Sequence, residues 1–196
     1  NEPLNPNEEI LIKLNYKVKI ADKRFTGYGI IDKSNVFIKD WFISVCKIID
    51  NNWIKNSNLD LEEIPRNKAN YNVKWIIPQN INIYSNLILK SEKKSEISNE
   101  YEFYGDQYAD IQFQITSQNP FKKFKKNSTY FETSLNANGI SEKREISNYV
   151  KIDSFISKRI GKYPHKKIFI SQIESDKNPN YDLTLLPNSI SPYDKS

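Results

Sequence analysis

Eleven residues near the start of the chain, "ILIKLNYKVKI", alternate almost without fault. Ile10, Ile12, Leu14, Tyr16, Val18 and Ile20 share one parity, and Leu11, Lys13, Asn15, Lys17 and Lys19 share the other. Successive side chains of a strand point to opposite faces. The pattern therefore predicts one long antiparallel strand, with Tyr16 and Val18 facing a core and the lysines in water. Gly27, Gly29 and Asp32 to Asn35 then mark a turn or bulge. "VFIKDWFISVCKIIDNNWI" is apolar on both parities: Trp41, Ile43, Val45 and Ile49 on one, Phe42, Cys46 and Ile48 on the other. Such a run predicts a central strand buried on both faces, and its length also suits a buried helix.

The alternation returns downstream. "YNVKWII" runs from Tyr71 to Pro78, which stops it, and "INIY" and "NLIL" read as two short strands or one bent strand. "YEFYGDQYADIQFQIT" alternates through Ala109, Ile111, Phe113 and Ile115. Between these, residues 90–100 are apolar only at Ile97 and read as an exposed loop, and "NSNLDLEEIPRNKAN" reads as a polar connection. "SEKREISNYVKIDSFISKRIGKYP" predicts a helix. Ile146, Tyr149, Val150, Phe155, Ile156 and Ile160 fall near helical spacing, Lys158 and Arg159 occupy the last turn, and Gly161 with Pro164 closes it. A strand at Tyr149 to Ile152 followed by a short helix is the alternative there. "KKIFISQI" reads as a final strand.

Seven to nine short strands with frequent turns and few helices predict a mainly β fold: an antiparallel β-sandwich with one or two short helices, with α+β as the alternative. The expected organisation is an extended segment over 1–9, a single domain over 10–175, and a Pro- and Asn-spaced tail over 176–196.

Composition sharpens this reading. The 196 residues include 28 Ile against four Ala, and aromatics make up 13%. Ile, Tyr and Phe suit a pleated, half-buried surface, Ala is the best helix former, and disordered chains lack this aromatic weight. Abundant Ile, Lys, Asn and Tyr also point to an AT-rich genome. The net charge is +5, and only Arg24, Arg66, Arg144 and Arg159 supply guanidinium forks among the 29 cations. That mild, lysine-based charge differs from a dedicated nucleic-acid surface. No run approaches the roughly 20 apolar residues of a membrane-spanning helix. The polar, proline-spaced opening "NEPLNPNEEI" suggests removal of a signal peptide, and hence an extracytoplasmic setting: periplasmic, secreted, or lipid-anchored at an outer membrane.

Candidate chemistry is sparse. Cys46 and His165 stand alone, so one chain has no intramolecular disulfide and no zinc site built from Cys and His. Cys46, in an apolar run, reads as a buried inert thiol. His165, beside Pro164 and Lys166–Lys167, reads as a surface histidine in an exposed loop rather than a catalytic base. There is no G-x-x-x-x-G-K-[ST] phosphate loop. No cofactor, metal or catalytic residue is expected.

Glu100, Glu102, Asp106 and Asp110 fall within eleven residues, as Ca²⁺ ligands or an acid/base pair would, yet their spacing matches no calcium loop and suits a turn between strands. Trp41, Trp53 and Trp75 read as core rather than a sugar-stacking platform. "NPFKKFKKNSTYF" sets Phe121 and Phe124 among Lys122, Lys123, Lys125 and Lys126. It reads as a loop that tucks a Phe under a sheet edge, with an anionic-partner contact or an amphipathic membrane foot as the functional alternatives. Asn127-Ser-Thr129 matches a glycosylation acceptor.

The function expected from this is non-enzymatic binding of another protein through loops or a sheet edge, of the adhesin, inhibitor/immunity or envelope-assembly type. Nucleic-acid or polyanion binding through Lys122 to Lys126 is the second reading. A hydrolase using carboxylates near Asp106 is the third.

Overall fold

The computed structural model describes residues 5, 7–24, 27–39, 41–50, 52–54, 67–126, 128–136 and 139–177. The polar connection over 55–66, the Asn127 acceptor and the tail from 178 onward lie outside the described residues. The fold is mainly β, with antiparallel sheets in a sandwich-like arrangement and two helices.

A central sheet runs in the order β1 (Gly29–Ile30), β2 (Asn35–Lys39), β9 (Gln112–Thr116), β6 (Asn82–Ser85). An outer sheet has the order β5 (Ala69–Pro78), β8 (Ser98–Tyr108), β7 (Ile88–Lys94). Between these two lies the main core. Val73, Trp75 and Ile77 of β5 and Tyr101 and Phe103 of β8 meet Ile83, Phe113 and Ile115 of the central sheet. Phe113, with no exposed surface, sits at the middle of an aromatic group: Trp75 at 5.2 Å, Phe103 at 5.4 Å and Trp41 at 6.3 Å, all near edge-to-face. Trp41 and Trp75 are thus core residues, whereas Trp53 on the small hairpin β3 (Ile48–Ile49) and β4 (Asn52–Trp53) is exposed.

The other face of the central sheet is covered too. A third sheet, β10 (Lys122–Lys126), β11 (Thr129–Thr133) and β12 (Lys167–Ile170), approaches it through stacked rings: Tyr84 on Phe121 at 4.3 Å and Phe121 on Phe169 at 5.0 Å. Ser171, just before α2 (Gln172–Lys177), donates to the buried Gln114 at 2.8 Å. Helix α1 (Glu142–Arg159) packs on the far side of this third sheet, where Tyr149 faces Phe124 and Phe131. β11, α1 and β12 form a crossover, and β11 pairs with β12 in parallel, the one parallel strand ladder among the described residues. Acidic Glu142 and Glu145 in the first turn of α1, and Lys158 with Arg159 in the last, complement the helix dipole.

Four local expectations change. Ile10 to Ile20 is not a core strand: residues 8–20 form no strand, and Ile10, Ile12, Leu14, Tyr16, Val18 and Ile20 are all exposed. The doubly apolar run is a buried strand only as far as Lys39. Phe37 and Ile38 are buried on opposite faces, but 43–46 is irregular, and Cys46 is exposed rather than buried. Residues 90–100 are the tip of the β7–β8 hairpin rather than a loop, because Lys93 pairs with Glu100 and Lys94 with Asn99 across it. Finally, 122–126 is a strand rather than a loop: it pairs antiparallel with β11, with Phe124 half-buried and the four lysines exposed.

Truncating Phe113 to Ala is expected to cost about 3–5 kcal/mol of unfolding free energy, as for a fully buried aromatic. Cys46→Ser should stay within about 0.5 kcal/mol. Denaturant unfolding of the two variants checks this.

Candidate functional site

A groove of about 640 Å³ lies where the central, outer and third sheets meet. β6, a terminal strand of the central sheet, contributes Ile83 and Tyr84. The outer sheet contributes Ile88, Leu89 and Phe103, and the third sheet Lys123 to Lys125 and Tyr130 to Glu132, with Lys166 and Lys167 beside them. Apolar side chains form most of the lining, and four lysines stand against one carboxylate.

That carboxylate is tightly held. Glu132 lies on β11 between Phe131 and Thr133, and alternation turns it away from α1 and toward the groove. It is buried, forms an ion pair with Lys167 and accepts a second from Lys123 at 3.0 Å. Lys167 is largely but not fully buried, its side chain 11% exposed. Its ammonium donates to the Ser85 carbonyl at 2.6 Å and the Leu87 carbonyl at 3.1 Å, so that β12 is tied to the turn between β6 and β7. Burial lowers the Lys167 ammonium below the usual lysine value, while Glu132 pulls it the other way.

The four lysines of β10 split by parity. Lys122 faces α1 and donates to Glu145 at 2.9 Å; this buried carboxylate also accepts from the Tyr149 hydroxyl at 3.3 Å. Lys123 faces the groove, bound to Glu132 and 5.7 Å above the Tyr84 ring. Lys125 lies 4.8 Å above the Tyr130 ring, and Lys126 is exposed. Phe121 is buried against Tyr84 and Phe169, and Phe124 is half-buried against Phe131 at 4.8 Å, so both rings pack inward on opposite faces. An amphipathic foot would need both rings on one exposed face. Two of the four cations are already engaged with internal carboxylates, which leaves Lys125 and Lys126 as the outward pair.

The acidic stretch is dispersed. On β8, Glu100 pairs with Lys74 at 2.9 Å and Glu102 accepts from Ser91 at 2.9 Å, while Asp110 approaches Lys39 at 3.7 Å. Among the described residues no group of three or more His, Cys, Asp or Glu side chains could hold a metal ion. No described helix is long and apolar enough to cross a membrane. His165 is half-buried rather than exposed: it stacks on Tyr108 at 3.7 Å, and Tyr163 meets it edge-on at 5.5 Å. Burial, reinforced by Lys68, lowers its pKa below the usual histidine value, against the pull of Asp106 and Asp110.

Glu132, Lys167 and Glu145 escaped the sequence reading. The available signal was a lone carboxylate inside the strand pattern "TYFETSL". No family model and no curated protein matches this chain.

Glu132→Gln leaves the buried Lys167 cation without its anion and is expected to cost about 3–5 kcal/mol. Adding Lys167→Met should recover much of that loss, a non-additivity read from the double-mutant cycle.

For the outward pair, Lys125→Ser and Lys126→Ser should each change stability by about 0.5 kcal/mol or less, whereas Lys122→Ser, which strands Glu145, should cost about 1–3 kcal/mol. If the protein binds single-stranded nucleic acid through β10, two outward cations limit the slope of log affinity against log salt to about −1.4, at ~0.7 per phosphate. Titration at several salt concentrations measures it.

The histidine carries a pH signature. Its folded pKa is depressed, so the unfolded chain binds the proton first as pH falls through about 6.5. The contribution of the neutral stacked ring is complete above that pH and is lost below it. His165→Phe keeps a stacking ring and should flatten this part of the melting-temperature profile between about pH 8 and pH 5.

Proposed function

We propose that the chain is a non-enzymatic protein-binding domain that engages its partner by donating the extended segment Ile10 to Ile20 to a sheet of that partner. One observation carries this reading: a segment with strand periodicity stands in water. Its six even-numbered apolar side chains are 37–65% exposed, and Leu11 reaches 81%. Each such side chain contributes roughly 1.5–3 kcal/mol when fully buried. A row of six at strand spacing is therefore a large binding resource that the described chain leaves unused.

Strand addition draws on the same physics as a sheet. Main-chain hydrogen bonds supply affinity, and alternate side chains select the surface they enter. The odd-numbered face suits this role. Lys13, Lys17 and Lys19 keep the free segment solvated and discourage indiscriminate edge pairing.

Val18→Asp separates this reading from the core strand that the sequence pattern suggests. Within a core the buried charge would remove several kcal/mol. On a donated strand the melting midpoint stays within about 0.5 kcal/mol of wild type, while a partner that co-purifies with the wild-type protein is lost. Amide exchange over residues 10–20 should be unprotected in the dilute protein and slow in the complex. A lowered midpoint, or an unchanged partner, would sink the proposal.

A further inference from the structure

We infer that the C-terminal half of α1 is a membrane-surface contact, with an anionic lipid leaflet as its partner. It is separate from strand donation and does not rest on it.

The helix outruns the sheet it packs on. Glu145 and Tyr149 face the third sheet, and Ile152, Ile156 and Ile160 continue the same stripe at spacings of three and four residues. Those three and Phe155 nonetheless stand 41–84% exposed. At about 100° per residue they spread over an arc of roughly 140°, wider than the seam of a helix that packs on a single partner.

Cations accompany this arc. Lys151, Lys158, Arg159 and Lys162 are all exposed, and Asp153 is the one carboxylate between 151 and 163. Among the described residues none of the four forms an ion pair. The Arg159 guanidinium lies 6.0 Å from the Phe155 ring. β10 differs, because Lys122 and Lys123 are engaged there by internal carboxylates. Unpaired cations beside exposed apolar side chains on one helix suit an anionic bilayer. Rings and branched chains enter the headgroup boundary, while long basic side chains reach the phosphates.

Shape favours a bilayer over an acidic protein. Residues 152–160 present a convex patch about 13 Å long and ~10 Å wide. That is far below the roughly 800 Å² that each partner buries in a standard protein interface. A fluid surface adapts to a convex helix end and needs no matching groove. With the first half of α1 packed on the third sheet, the free end lies on the leaflet rather than across it.

The test is cosedimentation of the full chain with phosphatidylcholine vesicles, with and without about one third phosphatidylglycerol. Wild type should bind the anionic vesicles and bind pure phosphatidylcholine far more weakly. Each cation beside an anionic leaflet raises partitioning about fivefold, so Lys151→Gln with Lys158→Gln should weaken binding about 25-fold. Phe155→Ala with Ile156→Ala should abolish binding and keep the wild-type melting midpoint, since both side chains are exposed.

A second apolar row supplies the control. Ile10 to Ile20, held to the fold where Ile30 donates to the Ala21 carbonyl at 2.8 Å, also carries lysines. Leu14→Ser with Val18→Ser should leave vesicle binding unchanged. Binding lost in that variant but kept in Phe155→Ala, Ile156→Ala assigns the contact to the segment and overturns α1. Wild type that leaves anionic vesicles unbound overturns the inference and leaves strand donation standing. An unchanged affinity in the lysine variant removes the anionic lipid as partner. A clearly lowered midpoint in Phe155→Ala, Ile156→Ala shows that the chain itself covers the face, and overturns it as well.

Discussion

Lys167 carries a positive charge into a nearly enclosed place, its side chain 11% exposed, and three sheets are tied together where that charge is satisfied. Its ammonium meets Glu132 on the neighbouring parallel strand and the Ser85 and Leu87 carbonyls beyond the end of β6. A buried ion pair adds little net stability compared with apolar side chains of the same size, but it tolerates few alternative geometries. Here it fixes the register of β11 against β12 and the height of both above the central sheet. The groove is the space left when the sheets are held at that separation.

Around this tie the molecule is unevenly finished. The main core is dense with aromatic rings, and the central sheet is covered on both faces, yet its two ends differ. At β1 a long apolar row trails into water, and at β6 an apolar groove lies open beneath lysines. α1 shows the same unevenness on a smaller scale. Its first half is pinned by Glu145 and Tyr149, while Ile152, Phe155, Ile156 and Ile160 toward its end are exposed.

What the sequence revealed depended on the range of the interaction. β5 and β8 follow from a period of 2, because each buries one face and the pattern records which, and α1 follows from its helical spacing. β10 was obscure because Phe121 and Phe124 serve layers on opposite sides of the strand, so lysines and rings do not alternate as they would above a single core. The Glu132–Lys167 tie joins residues far apart in sequence through a crossover, and no local pattern reports it. His165 looked exposed among lysines until Tyr108, brought from β8, covered it. Ile10 to Ile20 is the instructive case. Its alternation marks an apolar face, but periodicity does not say whether the chain itself covers that face, and here it does not.

The tie of Ala21 to Ile30 at β1 also bears on the order of synthesis. Ile10 to Ile20 leaves the ribosome long before β6 to β12, which build the groove, have been made. During that interval a segment rich in isoleucine is exposed beside other nascent chains, a situation that invites aggregation. Lys13, Lys17 and Lys19, at three of the five alternate positions, suit a gatekeeper role. Their first service to the protein comes before any fold exists, in keeping a sticky row of side chains soluble until the sheets behind it have closed.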